Sequence, residues 1–149
     1  AFSAGHSSSW RSASTAADTR PVAHRRIRGH SPFESIMGYS RAVVAGDHVY
    51  VAGTAPIPAD GSDPPEGAYE QTRLCLGIVE DALERAGAGL EDVVRTCVYL
   101  TDASAFDEMA KAHGEAFRNI RPVNTTVVIA GLVDPRWLLE LDVVAVLSD

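Results

Sequence analysis

Cysteine is scarce in this 149-residue chain. There are two, Cys75 and Cys97, and neither has a second cysteine or a histidine at metal-ligand spacing, which excludes a zinc framework or a disulfide scaffold. Each sits inside an apolar periodic segment, where a thiol behaves as a small hydrophobe. Basic residues are also few, 13 Lys and Arg against 20 Asp and Glu, for a net charge of -7. The attraction behind nonspecific nucleic-acid binding is therefore missing, and neither RNA nor DNA is an expected partner. No apolar run approaches the roughly 18 residues of a membrane-spanning helix, so no membrane association is expected. No G-x-x-x-x-G-K-[ST] pattern exists to cradle a phosphate. What the chain does have is 46% hydrophobic residues, enough at this length for one core and too few for two.

Residues 1–20 are rich in Ser and Ala with scattered Arg, too polar for the apolar centre of a secretory signal. That composition cannot bury enough surface to offset its ordering entropy, so residues 1–22 are expected to form a disordered tail. A single domain is expected over residues 23–149. Reduced cysteines without a clear signal favour the cytoplasm.

Turn signals and periodic stretches alternate from Val22 onward. A short strand is expected around residues 24–28. A strand pair follows at 40–45 and 48–53, joined at Gly46-Asp47, where a two-residue turn needs glycine. Four prolines and two glycines make residues 56–67 a surface loop. Over residues 69–86, Cys75, Leu76, Val79, Ala82, Leu83 and Ala86 recur at helical spacing, and Gly87 and Gly89 end the helix. Leu74 and Ile78 fall off that stripe and hint at a second contact surface.

Residues 93–101 read as a strand, with Val94, Thr96, Val98 and Leu100 on one face and Arg95, Cys97 and Tyr99 on the other. A second helix carries Phe106, Met109, Ala110, His113, Ala116, Phe117 and Ile120 at steps of three and four, with Asp102 or Ser104 as its cap. Strands at 124–130 and about 137–147 complete the order β-β-β-α-β-α-β-β. Two helix-then-strand units predict an α+β mixed sheet with both helices on one face. The other face carries Val, Leu and Ile and must be covered; a closed homotrimer is the expected solution.

At this point several stretches together resemble the Rid (YjgF/UK114) family. They are Gly38-Tyr39-Ser40-Arg41-Ala42-Val43, Val49-Tyr50-Val51-Ala52-Gly53, Gln71, Ala86-Gly87-Ala88, Leu90-Glu91-Asp92-Val93-Val94, Val98-Tyr99-Leu100-Thr101-Asp102, Arg121-Pro122 and Leu139-Glu140-Leu141. The resemblance spans residues 26–147. It implies a chorismate-mutase-like fold, a homotrimer, and small-molecule clefts between subunits. It further implies hydrolysis of reactive enamines and imines, such as 2-aminoacrylate, to the keto acid and ammonia, with no metal and no organic cofactor. That chemistry needs an anchor for the substrate carboxylate, usually Arg, and a group that activates water at the C=N carbon.

Carried over by resemblance, Tyr39 and Gly53 line the cleft and Glu140 is the catalytic carboxylate that handles water. Ala52 stands where a serine is usual and Thr126 where a cysteine is common. The anchoring arginine is replaced, because its Pro-Ala-Arg motif reads Pro122-Val123-Asn124 here. Asn124 can donate hydrogen bonds but has no charge and a shorter reach. Losing a charge-assisted contact worth roughly 1.5–3 kcal/mol weakens carboxylate binding by one to two orders of magnitude. Arg41 and Arg121 are the two candidates to replace it; the bland alternative for both is a surface or intersubunit ion pair.

Strand alternation puts Glu140 on one face with Asp142. Both either face solvent or share a cleft in which repulsion raises a pKa. His113 reads as a core or interface histidine rather than a catalytic one, and Cys97 as packing rather than a nucleophile. Trp10 and Trp137 are candidates to stack on a ligand, with packing the simpler role for Trp137. Two functions follow: a cofactor-independent imine or enamine hydrolase other than a standard 2-iminoacid deaminase, or a noncatalytic small-ligand sensor. The ribonuclease activity attached to some family names lacks support, since no paired His/Lys site is present.

Overall fold

The computed structural model describes residues 23–31 and 33–148. The expected tail over residues 1–22, and Trp10 within it, lie outside the described residues. Six strands and three helices follow in the order β1 (Arg25–Ile27), α1 (Phe33–Met37), β2 (Ala42–Ala45), β3 (His48–Thr54), α2 (Ala68–Ala86), β4 (Val93–Leu100), α3 (Phe106–Phe117), β5 (Val123–Val128) and β6 (Leu139–Val146). The expected order holds, with α1 added. At five residues, α1 is too short for helical periodicity to register; its Glu34 carboxylate accepts from the Gly29 amide at 2.8 Å.

The strands form one sheet in the order β1-β2-β3-β6-β4-β5. Only β4 and β5 pair in parallel, and α3 is their crossover. The β2–β3 hairpin turns at Gly46 and Asp47, with Ala45 opposite His48 and Gly46 at φ 66°. Because β6 enters between β3 and β4, helix α2 also serves as a crossover between strands of like direction. Both helices therefore lie on one face, as the α+β reading expects.

The α2 stripe is buried as its spacing predicts, with Cys75, Val79, Ala82 and Leu83 fully enclosed against Leu139, Leu141, Val143 and Ala145 of β6. Gly87 closes the helix at φ 84°, with its amide donating to Glu84. Helix α3 buries Met109, Ala112 and Phe117, while Phe106 stays exposed. This departs from the expected stripe because Phe106 borders an open groove beside Thr126 and Val128 of the edge strand β5. Asp102 caps the 3-10 turn ahead of α3 by accepting from Ser104 N at 2.7 Å.

One face assignment in β4 is corrected. The pairing slips between Val93 and Arg95, so Val94 is bulged out and exposed while Val93 is buried. An extra residue in one strand of an antiparallel pair shifts side-chain parity locally, and the sequence alternation carries no sign of it. Beyond the bulge the expected parity resumes.

Gln71 is buried on α2 and satisfies every polar atom it has in reach. Its Nε2 donates to Pro65 O at 2.9 Å and Arg136 O at 3.0 Å, and its Oε1 accepts from Leu138 N at 2.8 Å. One side chain thus ties the proline-rich loop and the segment entering β6 to the helix, which fixes where Glu140 begins its strand.

The sheet face away from α2 and α3 holds Tyr50, Val123 and Val127, each between 42% and 68% exposed. Val123 and Val127 lie together on the edge strand β5, while Tyr50 on β3 is separated from them by β6 and β4, which carry Glu140, Asp142 and Arg95 on the same face.

Candidate functional site

Glu140 faces away from the helices, opposite Tyr99 of β4. It lies directly over Gly53, where an added Cβ would stand 2.0 Å from Glu140 Oε1 and 3.1 Å from its Cδ. Gly53 belongs to a stretch where the β3–β6 register shifts between Val51 and Thr54. The irregular backbone and missing side chain leave room for a carboxylate that a regular strand would exclude.

Arg41 closes the site from the residue just before β2. Its Nη2 donates to the carbonyls of Ala52 and Gly53, the latter at 2.7 Å, while its buried Nε has no hydrogen-bond partner. Burial lowers the Arg41 pKa, partly offset by Tyr39, Glu34 and Glu140 nearby. Burial also raises the Glu140 pKa above the ordinary carboxylate value, Arg41 opposes this, and Asp142 adds to it. Asp142 is itself held by Tyr99 Oη at 2.9 Å and by Arg95 at 3.2 Å, and Arg95 also donates to Cys97 Sγ at 2.7 Å. Glu140 is thus left as a half-buried acid beside a cation committed to backbone carbonyls.

Asn124 and Thr126 lie elsewhere. They occupy β5, with β4 between them and β6, about 9–10 Å from the Glu140 strand at ordinary spacing. They also turn to the helix side. Asn124 pairs in register with Thr96 and donates from Nδ2 to Thr96 Oγ1 at 2.9 Å; Thr126 Oγ1 donates to Asn124 Oδ1 at 2.9 Å. His113 of α3 completes the group, with Nε2 3.0 Å from Thr96 Oγ1 and its ring against Phe117. Burial lowers the His113 pKa.

Within one chain, then, Tyr39 and Arg41 just before β2 gather with Ala52 and Gly53 of β3 and Glu140 of β6, and Asn124 and Thr126 form a second group on β5. Arg121 joins neither: it is exposed at φ 56° in the turn before β5, where its amide donates to Phe117 O at 2.9 Å. Sequence reasoning missed Thr96, which its fully buried position on β4 makes central to the second group. A lone hydroxyl among Val93, Val98 and Leu100 was the available signal. Among the described residues no three potential metal ligands gather.

The second group borders a cavity of about 380 Å³, walled by Leu100, Phe106 and Val128 and edged by Ser104, Asp107 and Thr126. A sheet of this order with two crossover helices, a carboxylate over a glycine bulge and a polar edge strand defines a small α+β protein. The family model described as endoribonuclease L-PSP matches residues 29–147. An uncharacterised Streptomyces coelicolor protein is 40% identical over 121 residues, covering 81% of this chain and 90% of its own length. A RutC family protein of Pyrococcus abyssi is 33% identical over 108 residues, covering 72% of this chain and 84% of its own.

Among solved structures, a Mycobacterium tuberculosis member of the YjgF/YER057c/UK114 family is 42% identical, with 84% of this chain and 100% of that one covered at a TM-score of 0.76. A YjgF family member from Neisseria meningitidis is 27% identical at a TM-score of 0.71, covering 86% and 98%. The chain belongs to the YjgF/YER057c/UK114 family, the Rid family of the sequence reading.

Proposed function

We propose that the protein is a homotrimer that binds a small metabolite in clefts between subunits and hydrolyses an imine or enamine there, with Glu140 as the base. The observation that carries this reading is the half-buried Glu140 carboxylate seated over Gly53, with its pKa raised by burial. A carboxylate whose basicity is increased while a glycine leaves space before it is suited to taking a proton from water. Water oxygen then bonds to the C=N carbon, the proton passes to nitrogen, the C–N bond of the tetrahedral adduct breaks, and ketone and ammonia leave. Arg41 holds the Ala52 and Gly53 carbonyls and keeps the bulge in shape.

The exposed Val123 and Val127 on the edge strand β5 support closure into a ring. Such closure would bring the β5 edge of one subunit beside the Glu140 region of the next, joining the two groups. Residence in the cytoplasm fits the two free, buried cysteines.

A noncatalytic ligand sensor is the second reading, favoured by Asn124 in place of a cationic anchor. Ammonia release from freshly generated imines of neutral and acidic side chain separates the two. Turnover that Glu140→Gln abolishes, with folding intact, supports the hydrolase; no turnover in wild type alongside retained ligand binding supports the sensor. Light scattering tests assembly: three chain masses for wild type and a smaller species for Val123→Glu are expected, and a wild-type monomer at micromolar concentration would remove the intersubunit cleft.

A further inference from the structure

Hydrogen-bond direction decides what the β5 group offers a ligand. Thr96 is fully buried, and among the described residues its only side-chain partners are His113 Nε2 and Asn124 Nδ2. The amide nitrogen of Asn124 can only donate, so Thr96 Oγ1 accepts from it, and of its two partners only His113 Nε2 can then take the buried Thr96 proton. The Thr96 proton is satisfied when the ring is neutral with Nε2 as acceptor. At the other end, Asn124 Oδ1 can only accept, so Thr126 spends its proton there. The four residues form one directed chain, from Thr126 to Asn124 to Thr96 to His113.

The consequence appears at the cavity. Thr126 lines it with lone pairs and no spare proton, and Asp107 lines it as a second acceptor. Among the described residues, no Lys or Arg contributes to the lining. A ligand carboxylate would meet acceptors and an acidic side chain there. An N–H group would meet partners, and a neighbouring C=O could accept from the Ser104 hydroxyl. Leu100, Phe106 and Val128 would cover a short apolar arm.

We propose that the Thr126 end of this cavity takes an uncharged, N–H-bearing head group, a carboxamide type and not a carboxylate, and that His113 is the positioning residue that fixes this choice through Thr96 and Asn124. The inference rests on the small-metabolite reading above and names the substrate class for it. His113 touches no ligand; its ring sets the direction of the chain. When the ring gains a proton, Nε2 becomes a donor, and the Thr96 proton keeps a partner only by turning to Asn124. The amide then flips, and Thr126 turns its own proton to the cavity, which now suits an acceptor. The ionisable neighbours of His113 do not blur this. Lys111 and Glu115 on its own helix engage Tyr69 of α2, β4 and β5 present Thr96 and Asn124, and burial is the whole cause of the ring's lowered pKa.

The test is isothermal titration of the full-length protein with two stable probes that differ only in the head group, 2-oxobutanamide and 2-oxobutanoate. Wild type, His113→Phe, His113→Gln and Thr96→Val are compared at pH 8 and across the acid side of neutrality. Wild type is expected to prefer the amide by about tenfold at pH 8. That preference should shrink to within about threefold in His113→Phe and survive in His113→Gln, whose side-chain oxygen can accept from Thr96. It should also decline with falling pH in wild type and stay flat in His113→Gln, which shares every other titrating group. Should His113→Phe fail to fold, Thr96→Val breaks the same link at near-constant volume and is expected to lose the preference. Equal or tighter binding of the acid by wild type, or a preference that both link-breaking variants retain, overturns the inference and leaves the small-metabolite reading standing. Failure of both probes to bind removes that reading and the inference with it.

Discussion

Gly53→Ala isolates the placement of one carboxylate without changing its chemistry. The new Cβ would stand 2.0 Å from Glu140 Oε1, against an ordinary contact of about 3.4 Å, so the carboxylate must retreat by about 1.4 Å. Gly53 has a backbone conformation open to alanine, since it is absent from the positive-φ glycines. What yields is the end of a half-exposed side chain, so the expected loss of stability is within about 1 kcal/mol. Catalysis is less forgiving, because a misplacement of about 1 Å can cost on the order of 10²-fold in rate. The assay is ammonia release under saturating imine, with thermal melting run in parallel. A fall of about 10²-fold in kcat with a near-native melting temperature is expected. A folded Gly53→Ala with wild-type kcat would refute both the role of the bulge and that of Glu140 as base.

Three further outcomes follow from the same geometry. Gly77→Ala, mid-helix in α2 with nothing within 4 Å of the added Cβ, should raise stability by about 0.5–1 kcal/mol in urea unfolding and serves as the control for Gly53→Ala. Gln71→Leu leaves Leu138 N without its acceptor and two carbonyls without their donor; a loss of about 2–3 kcal/mol is expected by the same method. For Glu140→Gln the sign runs with pH. A folded-state pKa above the unfolded one means that the stabilising contribution is present at low pH and is lost as pH rises through the folded value. The variant should therefore match wild type near pH 4 and melt higher at pH 7; a variant that melts lower at neutral pH would show that Arg41 outweighs burial at this carboxylate.

Much of the fold was legible in the sequence because burial on one side of a helix or strand writes a period into it. The α2 stripe and the alternation of Leu139, Leu141 and Val143 against Glu140 and Asp142 follow from that, and so does the hairpin at Gly46-Asp47. The residues of the Glu140 group were named through the family resemblance that their motifs carry. What local pattern could not carry was register. The bulge at Val94 changes parity without changing composition.

The pairing of Asn124 with Thr96 across the β4–α3–β5 crossover links residues 28 apart, and only the parallel register brings His113 onto the same hydroxyl. The sequence by itself determined that a small α+β fold would form, which faces would be buried, and that Glu140 and Asp142 would share one face of the last strand. The tertiary structure alone decided that Gly53 would lie beneath that carboxylate and that Arg41 would be spent on backbone carbonyls. It likewise decided that Asn124 and Thr126 would belong to a separate, uncharged hydrogen-bond chain. The physical reason is that burial is a property of one element at a time, whereas a hydrogen bond between strands depends on where each one stops sliding against the next.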